Sequence, residues 1–541
     1  MRDQLEADYV IVGAGSAGCV LANRLSADPS NRVVLLEAGG SDWNPLIRVP
    51  LLTRILFSSR ALNWSYETAQ EPSLADRVLK WPRGKVLGGT SSINGMTYIR
   101  GHRRDFDDWQ QTGCRGWSYE DVLPYFRRSE NNPKGPPYHG TDGELSVVQS
   151  GVPHPLEEPF MAACGALGLD PTDDFNGARQ EGYGRHDFTI RGGQRHSSSD
   201  AFLRPVLGRS NLTLMTRARA DRIRMEGGRA VAVDGVSAGQ PFSLGARKEV
   251  VLCGGTINSP QLLMLSGIGQ DEHLRSHGIQ TKVNLPGVGQ NLQDHLGVYI
   301  AQACLRPVTL RGELQYHRAA LSVIRALLFH SGPATAIPIS ACGFFRTSPH
   351  LETPDVQVTL LPGLVTGNPW RPPRAEGFIL NAYQLRPRSR GNLMLRGADP
   401  SQKPIIHANY LSDGYDRIVL RDAVRLVRAI IAQRSFDELR GEELSPGPSV
   451  TDDDAIDRWI ARNAGTFFHP VGTCRMGTDS EAVVDDQLRV RGVEGLRVAD
   501  ASVMPTIVGG NTNAATMMIA EKAANLMQGT TRREISETPL V

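Results

Sequence analysis

Residues 8–18, DYVIVGAGSAG, and residues 32–37, RVVLLE, decide the fold of this chain. The first stretch is an apolar run that ends in spaced glycines, which predicts a strand entering a helix. The second is another apolar run, and it ends on Glu37 about 20 residues after the glycines, where a nucleotide-binding βαβ unit carries an acid. The sequence therefore predicts that a dinucleotide binds near the N-terminus.

The three glycines and the acid of this unit each have a specific structural role. Gly13 permits the tight turn, Gly15 lets the backbone approach a pyrophosphate, and Gly18 lets the helix pack on the strand. The helix N-terminus attracts the phosphate charge, and Glu37 is placed to accept a hydrogen bond from a ribose 2′-hydroxyl. An acid at this position repels a ribose phosphate, which disfavours NADP and leaves NAD and FAD as alternatives.

Length, composition and charge exclude several classes of function. The chain has 541 residues, enough for several domains, and its 40% hydrophobic and 21% charged residues are typical of folded proteins. Its net charge of +2 gives no overall field that favours nucleic acid or an anionic membrane. The seven cysteines never have CxxC spacing and no HExxH-type motif occurs, so we expect reduced thiols and no metal.

The apolar segments are too short to target or anchor the protein. The chain enters its first predicted strand without an apolar targeting core. Its longest candidate apolar segment, residues 319–329, is interrupted by Arg325 and is too short to span a bilayer. We therefore expect a cytoplasmic protein without an integral membrane segment; peripheral membrane contact and an oligomeric state stay open.

The rest of the chain contains two kinds of region. Returns to the nucleotide sheet are predicted at residues 249–255 and 495–502, and an apolar helix over residues 513–528. Residues 298–462 instead alternate short strands with Pro-rich connections and with helices near 415–433 and 452–464. We expect an α/β fold, α+β overall. It combines a Rossmann-like domain of discontinuous segments (1–155, 197–300 and 465–541) with a substrate domain of antiparallel strands and helices (156–196 and 301–464).

Two further segments carry candidate chemistry. Residues 83–96, RGKVLGGTSSINGM, offer backbone N–H groups and hydroxyls at a predicted helix start, which suits a second phosphate contact or a plain capping turn. Residues 467–477, FFHPVGTCRMG, place His469 between aromatic residues and a proline, and Asn511 follows in GGNTN. A histidine there can stay neutral and act as a base while an amide fixes a substrate oxygen; a satisfied core histidine is the alternative.

Four motifs in order resemble the glucose–methanol–choline family of flavin-dependent alcohol oxidoreductases. They are GAGSAG with Glu37, residues 84–94, residues 255–269 (GTINSPQLLMLSGIG), and HPVGTCRMG with NTN, while residues 284–295 (NLPGVGQNLQDH) look like another family segment. The similarity runs essentially end to end. It implies FAD rather than NAD, held by the discontinuous domain, in an enzyme that oxidises a primary alcohol to an aldehyde.

The resemblance also implies roles for individual residues. His469 matches the catalytic base, and Asn511 matches a second catalytic position that is His or Asn across the family. The candidate substrate residues are Phe467 and Phe468, next to His469, and Tyr98 and Trp64, in segments that line the cavity in relatives; ordinary packing is the alternative for each. The residues expected to contact FAD are Gly13, Gly15, Ser16, Ala17, Gly18, Glu37, Ala38, Val86, Gly88, Thr90, Asn94, Gly95, Met96, Ala220, Asp500, Ala501, Asn511, Thr512 and Asn513.

Family comparisons leave several alternatives for the reaction. In some relatives a histidine at the position of Ile93 links covalently to FAD, so Ile93 predicts a noncovalent flavin. The Asn at the second catalytic position is similar to choline and sorbose dehydrogenases, so oxidation of choline or a sugar is the alternative. Choline requires an aromatic cage with a carboxylate, which the sequence does not locate. Oxygen, a quinone or a dye is the expected electron acceptor. A lyase or a flavin-binding protein without turnover is disfavoured because His469 and Asn511 are both present.

Overall fold

The protein consists of two large sheets with flanking helices. The structure is a computed structural model, and it describes residues 5–149, 153–339, 341–365 and 371–529. The α-helices are α1 (Ser16–Leu25), α2 (Thr53–Ser58), α3 (Arg103–Gln111), α4 (Tyr119–Ser129), α5 (Glu157–Ala166), α6 (Gly255–Leu265), α7 (Asp271–Ser276), α8 (Tyr316–Phe329), α9 (Gly414–Ile431), α10 (Asp453–Asn463) and α11 (Asn513–Gln528).

The strands are β1 (Leu5–Val12), β2 (Val33–Glu37), β3 (Tyr66–Glu67), β4 (Lys80–Trp81), β5 (Thr97–Tyr98), β6 (Glu130–Asn131), β7 (Leu145–Ser146), β8 (Val148–Gln149), β9 (Gly182–Arg185), β10 (Asp187–Phe188), β11 (Ile190–Arg191), β12 (Gln194–Arg195), β13 (Leu212–Thr216), β14 (Ala218–Glu226), β15 (Arg229–Ser237), β16 (Gln240–Leu252), β17 (Ile268–Gly269), β18 (Val283–Asn284), β19 (Leu296–Cys304), β20 (Ala341–Phe345), β21 (Val356–Leu361), β22 (Gly377–Gln384), β23 (Asn392–Met394), β24 (Ile405–His407), β25 (Arg440–Ser445), β26 (Gly465–Thr466) and β27 (Leu496–Val498).

The first large sheet is the predicted nucleotide sheet. Its order is β13-β2-β1-β16-β15-β14, with β27 also paired to β16. Strands β13, β2, β1, β16 and β27 are mutually parallel where they pair, whereas β15 is antiparallel to both β14 and β16. The opening βαβ unit is therefore confirmed, with Glu37 as the last residue of β2. Segments distant in sequence meet here because β1 pairs with β16, and β16 pairs with β27.

The second large sheet is antiparallel, as expected. Its order is β25-β19-β22-β21-β20-β9, and β26 also pairs with β19. Strands β21 and β22 are buried along nearly their whole length, and α9 covers this sheet through a buried face that includes Val419, Ala423 and Val427. The predicted boundary at residue 300 falls inside β19, and β26 joins this sheet although residues 465–466 lie in a segment assigned to the other domain. The domain boundaries stay a prediction.

Local structure differs from expectation in the second glycine segment. Residues Gly89–Ser92 form a short 3₁₀ turn, not the start of an α-helix. Gly88 and Gly89 both have positive φ, at 81° and 54°, which redirects the chain before a helix can propagate. The predicted helices near residues 415–433, 452–464 and 513–528 correspond to α9, α10 and α11.

Three further observations concern the cysteines, the apolar helices and possible metal ligands. All seven cysteines are buried free thiols. Within the described ranges, no helix has the length and apolar character needed to cross a bilayer. No cluster of His, Cys, Asp or Glu suited to a metal ion occurs in those ranges either.

Candidate active site

A cavity of about 730 Å³ lies at the carboxyl ends of the parallel strands β1, β2 and β16. Ligands bind at this edge in open α/β sheets because the strands end and the helices begin there. The predicted residues that line the cavity are Gly13, Gly15, Ser16, Ala17, Glu37, Ala38, Trp64, Thr90, Asn94, Gly95, Met96, Ala220, Phe467, Phe468, His469, Asp500, Ala501, Asn511, Thr512 and Asn513.

Four predicted residues are not among those that line this cavity. Gly18 lies inside α1, where an added Cβ would be 1.8 Å from the carbonyl oxygen of Gly13, so it serves the packing of helix on strand. Gly88 donates its N–H to the carbonyl of Ala14 over 2.8 Å, and Val86 is buried in an aliphatic cluster. Tyr98 is 2% exposed and lies in the main core, so the expectation that it faces the substrate cavity differs from the structure.

The two glycine segments pack directly on each other. An added Cβ on Gly89 would be 2.7 Å from the Cα of Gly15, which is closer than two such carbons can lie. Gly15 itself faces open space, since its own Cβ would meet nothing nearer than Gly89 Cα at 3.9 Å. No side chain caps the N-terminus of α1, so the first N–H groups of that helix are free of capping hydrogen bonds. Together these features form a cradle suited to a phosphate group.

Glu37 is already hydrogen-bonded to the backbone. Its two carboxylate oxygens accept from the N–H of Ala14 over 3.0 Å and the N–H of Gly39 over 2.8 Å. Burial raises the pKa of Glu37 to about 7, although both hydrogen bonds and nearby Lys85 oppose that shift. A hydroxyl donated by a ligand would favour the carboxylate form further.

His469 lines the same cavity, and both of its ring nitrogens contact polar side chains. It is 9% exposed; its Nε2 lies 3.0 Å from Nδ2 of Asn511, and its Nδ1 lies 3.0 Å from Nδ1 of His295. The structure thus brings together the two predicted catalytic residues. His295 ends the quoted NLQDH segment, but nothing in its spacing from His469, 174 residues away, indicated the contact.

A chain of hydrogen bonds fixes which nitrogen of His469 carries the proton. Nε2 of His295 lies 3.0 Å from the carbonyl oxygen of Leu385, which can only accept, so that nitrogen is the donor. Neutral His295 then presents an unprotonated Nδ1, which accepts from Nδ1–H of His469. Consequently Nε2 of His469 carries a lone pair towards the cavity, where Asn511 Nδ2 donates to it.

Burial keeps both histidines neutral. It lowers the pKa of His295 to about 3. Burial, with smaller contributions from His295 and Arg83, also holds the pKa of His469 well below its ordinary 6.5. A neutral imidazole whose Nε2 lone pair faces the cavity is the form that accepts a proton from an alcohol.

Hydrogen bonds to Asp294 and from Arg83 hold the loop that carries His469. Asp294 accepts from the N–H of His469 over 2.6 Å, from the hydroxyl of Thr466 and from that of Tyr410. Arg83 donates to the carbonyl of Phe468 over 2.6 Å, and Phe468 has a φ of 67°, a strained value for a bulky residue. These bonds fix His469 because its own N–H and the preceding residues Thr466 and Phe468 are anchored.

Aromatic and cationic side chains line the cavity around this site. Phe467 stacks on Tyr383 with ring centroids 4.2 Å apart, and Phe468 packs on Phe57 at 5.2 Å. The lining includes five cations, Arg60, Arg83, Lys85, Arg219 and Lys403, which the sequence did not single out as site residues. Its carboxylates, among the described lining residues, are Glu37 and Asp500, and Asp500 accepts from the N–H of Gly255 and the hydroxyl of Ser259.

The chain is similar to known proteins of one family. A family model described as GMC oxidoreductase matches residues 7–297, and a second with the same description matches residues 387–520. Oxygen-dependent choline dehydrogenase of Brucella ovis is 44% identical over 531 residues, covering 97% of this chain and 96% of that protein. The mitochondrial choline dehydrogenase of Homo sapiens is 45% identical over 536 residues, covering 97% and 90%.

Two solved structures are similar to this chain over nearly its full length. Pyridoxine 4-oxidase from Mesorbium loti is similar with a TM-score of 0.89 at 33% identity, over 97% of this chain and 100% of that one. A formate oxidase variant from Aspergillus oryzae has a TM-score of 0.91 at 27% identity, over 99% of this chain and 100% of that one.

Proposed function

The chain belongs to the GMC oxidoreductase family, and on that premise we propose that it oxidises a primary alcohol to the aldehyde with His469 as the base. Members of this family are FAD-dependent enzymes that act on alcohol donors, and this chain is one of them. The observation that carries the assignment of the base is the hydrogen-bond chain from Leu385 through His295, which leaves the Nε2 lone pair of His469 facing the cavity.

The residues present fit FAD. The open backbone at Gly15 and the uncapped start of α1 suit the diphosphate, and Glu37 suits a ribose hydroxyl. Lys85, Arg219 and Lys403 line the same cavity and offset the negative charge of the phosphates. Residues 94–96 and 511–513 line the remaining wall, beside His469, and we assign the flavin ring to that part.

The protein's own groups activate the alcohol. A hydroxyl with a pKa near 16, like that of water, releases hydride only when its proton is shared with a base. Nε2 of His469 takes that proton, and the imidazolium stays oriented because its Nδ1–H still donates to His295. Asn511, whose Nδ2 lies 3.0 Å from that Nε2, is placed to donate to the developing alkoxide. FAD, when bound, supplies the acceptor for the hydride that leaves the carbinol carbon.

An uncharged, aromatic or apolar alcohol suits the lining best. Phe57, Phe467 and Phe468 supply apolar wall, and a structural neighbour is named for pyridoxine, an aromatic alcohol. Choline is the second candidate because the curated relatives are choline dehydrogenases. Against choline, both lining carboxylates are bonded to backbone N–H groups, and Arg83 adds positive charge near His469. A sugar of the sorbose type is a third candidate.

Anaerobic mixing with a panel of alcohols tests the function. Benzyl alcohol, 1-hexanol, choline and sorbose at equal concentrations should bleach the flavin band at different rates, and we expect the uncharged alcohols to be fastest. A panel that leaves the flavin oxidised throughout would contradict the function itself. Choline as the fastest substrate would refute only the substrate class. Readmitting oxygen, or a quinone or dye, to the reduced enzyme then identifies the electron acceptor, which we propose is one of these.

We also propose that the enzyme works in the cytoplasm.

The flavin should be dissociable. Ile93 is fully buried in an aliphatic cluster and carries no nucleophile, and burial raises the pKa of the cavity thiol Cys253 well above its ordinary value, so that thiol stays protonated. We expect acid precipitation to leave all of the yellow colour in the supernatant. Colour that stays with the polypeptide after denaturation would contradict a noncovalent flavin.

The rate should be insensitive to mild acid. Because burial holds the pKa of His469 well below 6.5, the base is unprotonated at neutral pH, and activity is lost only as the pH falls through that lowered pKa. We expect kcat/KM for a neutral alcohol to stay level from about pH 8 down to below pH 6.5. A loss of activity with its midpoint at or above pH 6.5 would show that another group, or a solvated histidine, is titrating.

His295 acts as a positioning residue for His469. In His295→Phe the buried Nδ1–H of His469 loses its acceptor, which costs about 1–3 kcal/mol, so we expect kcat to fall roughly 5- to 150-fold with KM little changed. His295→Asn, which keeps an acceptor near the same place, should recover part of the loss. The pH below which kcat/KM begins to fall should also change in His295→Phe but not in His295→Asn. Equal activity and equal profiles in the two variants would show that His295 only fills space.

A further inference from the structure

Helix α8 exposes more large apolar side chains than any other described element. Of its residues, Tyr316 is 66%, Leu321 65%, Ile324 50%, Leu328 68% and Phe329 72% exposed. Elsewhere in the described chain such side chains occur singly, for example Ile418 on α9 at 48%. Single exposed apolar residues are ordinary, but a set of them on one helix marks a contact surface.

These side chains lie on the outward side of the helix. Leu321, Ile324 and Leu328 follow the i, i+3, i+7 spacing of one helical face. The fully buried residues of α8 are Ser322 and Ala326, which are small, and the larger Val323 and Leu327 are only partly buried. A surface helix usually buries its large apolar residues and exposes its polar ones, so the outward face of α8 is arranged for an apolar environment outside the protein.

The charges on α8 indicate what kind of surface contacts its outward face. The helix contains no Asp or Glu, and it exposes Arg318 and Arg325 together with His317. Apolar side chains bordered by arginines match the boundary of a bilayer, where acyl chains lie beneath anionic headgroups. A second copy of the chain fits less well, because a twofold contact between two α8 faces would bring like-charged arginines together.

The position of α8 relates this face to the active site. Val323 and Leu327 pack on Leu51 and Leu52, within a small cluster around Ala326. That segment leads directly into α2, whose Phe57 lines the cavity. A surface that covers α8 would therefore lie beside the cavity wall.

We propose that the outward face of α8, formed by Leu321, Ile324 and Leu328 and bordered by Arg318 and Arg325, binds the surface of an anionic lipid bilayer. The helix lies in the plane of the interface, with its apolar side chains at the acyl boundary and the arginines at the headgroups. The protein attaches without crossing the membrane.

Flotation of the FAD-loaded protein with vesicles tests the proposal. We expect binding to phosphatidylcholine vesicles that contain phosphatidylglycerol, and weaker binding to phosphatidylcholine alone. The triple variant Leu321→Gln, Ile324→Gln, Leu328→Gln should lose binding at least tenfold. The double variant Arg318→Gln, Arg325→Gln should weaken binding to anionic vesicles by about fivefold per arginine, since each such cation contributes about 1 kcal/mol. A matched control, Ile418→Gln with Leu444→Gln, replaces exposed apolar residues elsewhere and should float like the wild type.

Turnover with a soluble dye and gel filtration with light scattering complete the test. We expect dye-linked activity of all variants to stay at the wild-type level, which shows that they are folded. If the triple variant misfolds, the wild type and the arginine double variant still decide the outcome. Wild-type protein that fails to float, a triple variant that floats equally well, or a dimer that the triple variant converts to monomer without any vesicle binding would each overturn the proposal.

Discussion

His469→Ala should lower the rate of anaerobic flavin reduction by about 10²- to 10⁴-fold while FAD stays bound. The substitution removes the Nε2 lone pair that takes the hydroxyl proton, and it leaves the phosphate cradle around Gly15 unchanged. The measurement is stopped-flow bleaching of the flavin band at saturating alcohol. The visible spectrum before mixing reports how much flavin the variant retains.

Two further variants distinguish the base from general damage at the site. His350→Ala removes an exposed histidine and should leave the rate unchanged. Asn511→Ala removes a donor to the developing alkoxide and should cost about 10²- to 10³-fold. Because His469 and Asn511 contact each other, the double variant should lose less than the product of the single losses. Near-normal reduction by flavin-loaded His469→Ala would refute the assignment of the base.

Gly18→Ala and Gly15→Ala should fail in different ways. In Gly18→Ala the new Cβ would be 1.8 Å from the Gly13 carbonyl oxygen, so α1 cannot pack on β1, and we expect almost no folded, flavin-loaded protein.

In Gly15→Ala the Cβ meets no protein atom closer than 3.9 Å, and the φ of −82° suits alanine. This variant should fold but bind FAD more than tenfold more weakly, a loss of more than about 1.4 kcal/mol, because the methyl group projects into the phosphate cradle.

Melting curves of the apoproteins and titration with FAD separate the two outcomes. Gly208→Ala is the control, since an added Cβ there meets nothing within 4 Å and the residue does not line the cavity. We expect it to match the wild type in both measurements. Gly15→Ala with wild-type affinity for FAD would show that the diphosphate does not approach this turn.

Local patterns in the sequence were sufficient for the opening βαβ unit of the nucleotide sheet. The alternation of apolar run, spaced glycines and acid predicted β1, α1 and β2, because a strand, a tight turn and a helix start each depend on residues close together in the chain. The apolar helix over residues 513–528 was predicted for the same reason and corresponds to α11. Where the expectation differed, at Gly89–Ser92, two consecutive residues with positive φ prevented a helix that the composition alone permits.

The sequence by itself predicted the cofactor site with its glycine turn and singled out His469 and Asn511 as candidates, because each belongs to a short motif. Only the tertiary structure decided that His469 donates to His295, that Leu385 fixes the tautomer of both, and that Tyr98 lies in the core away from the cavity. These are contacts between residues far apart in the chain. Their geometry follows from the pairing and packing of whole strands and loops, which no local pattern of residue types encodes.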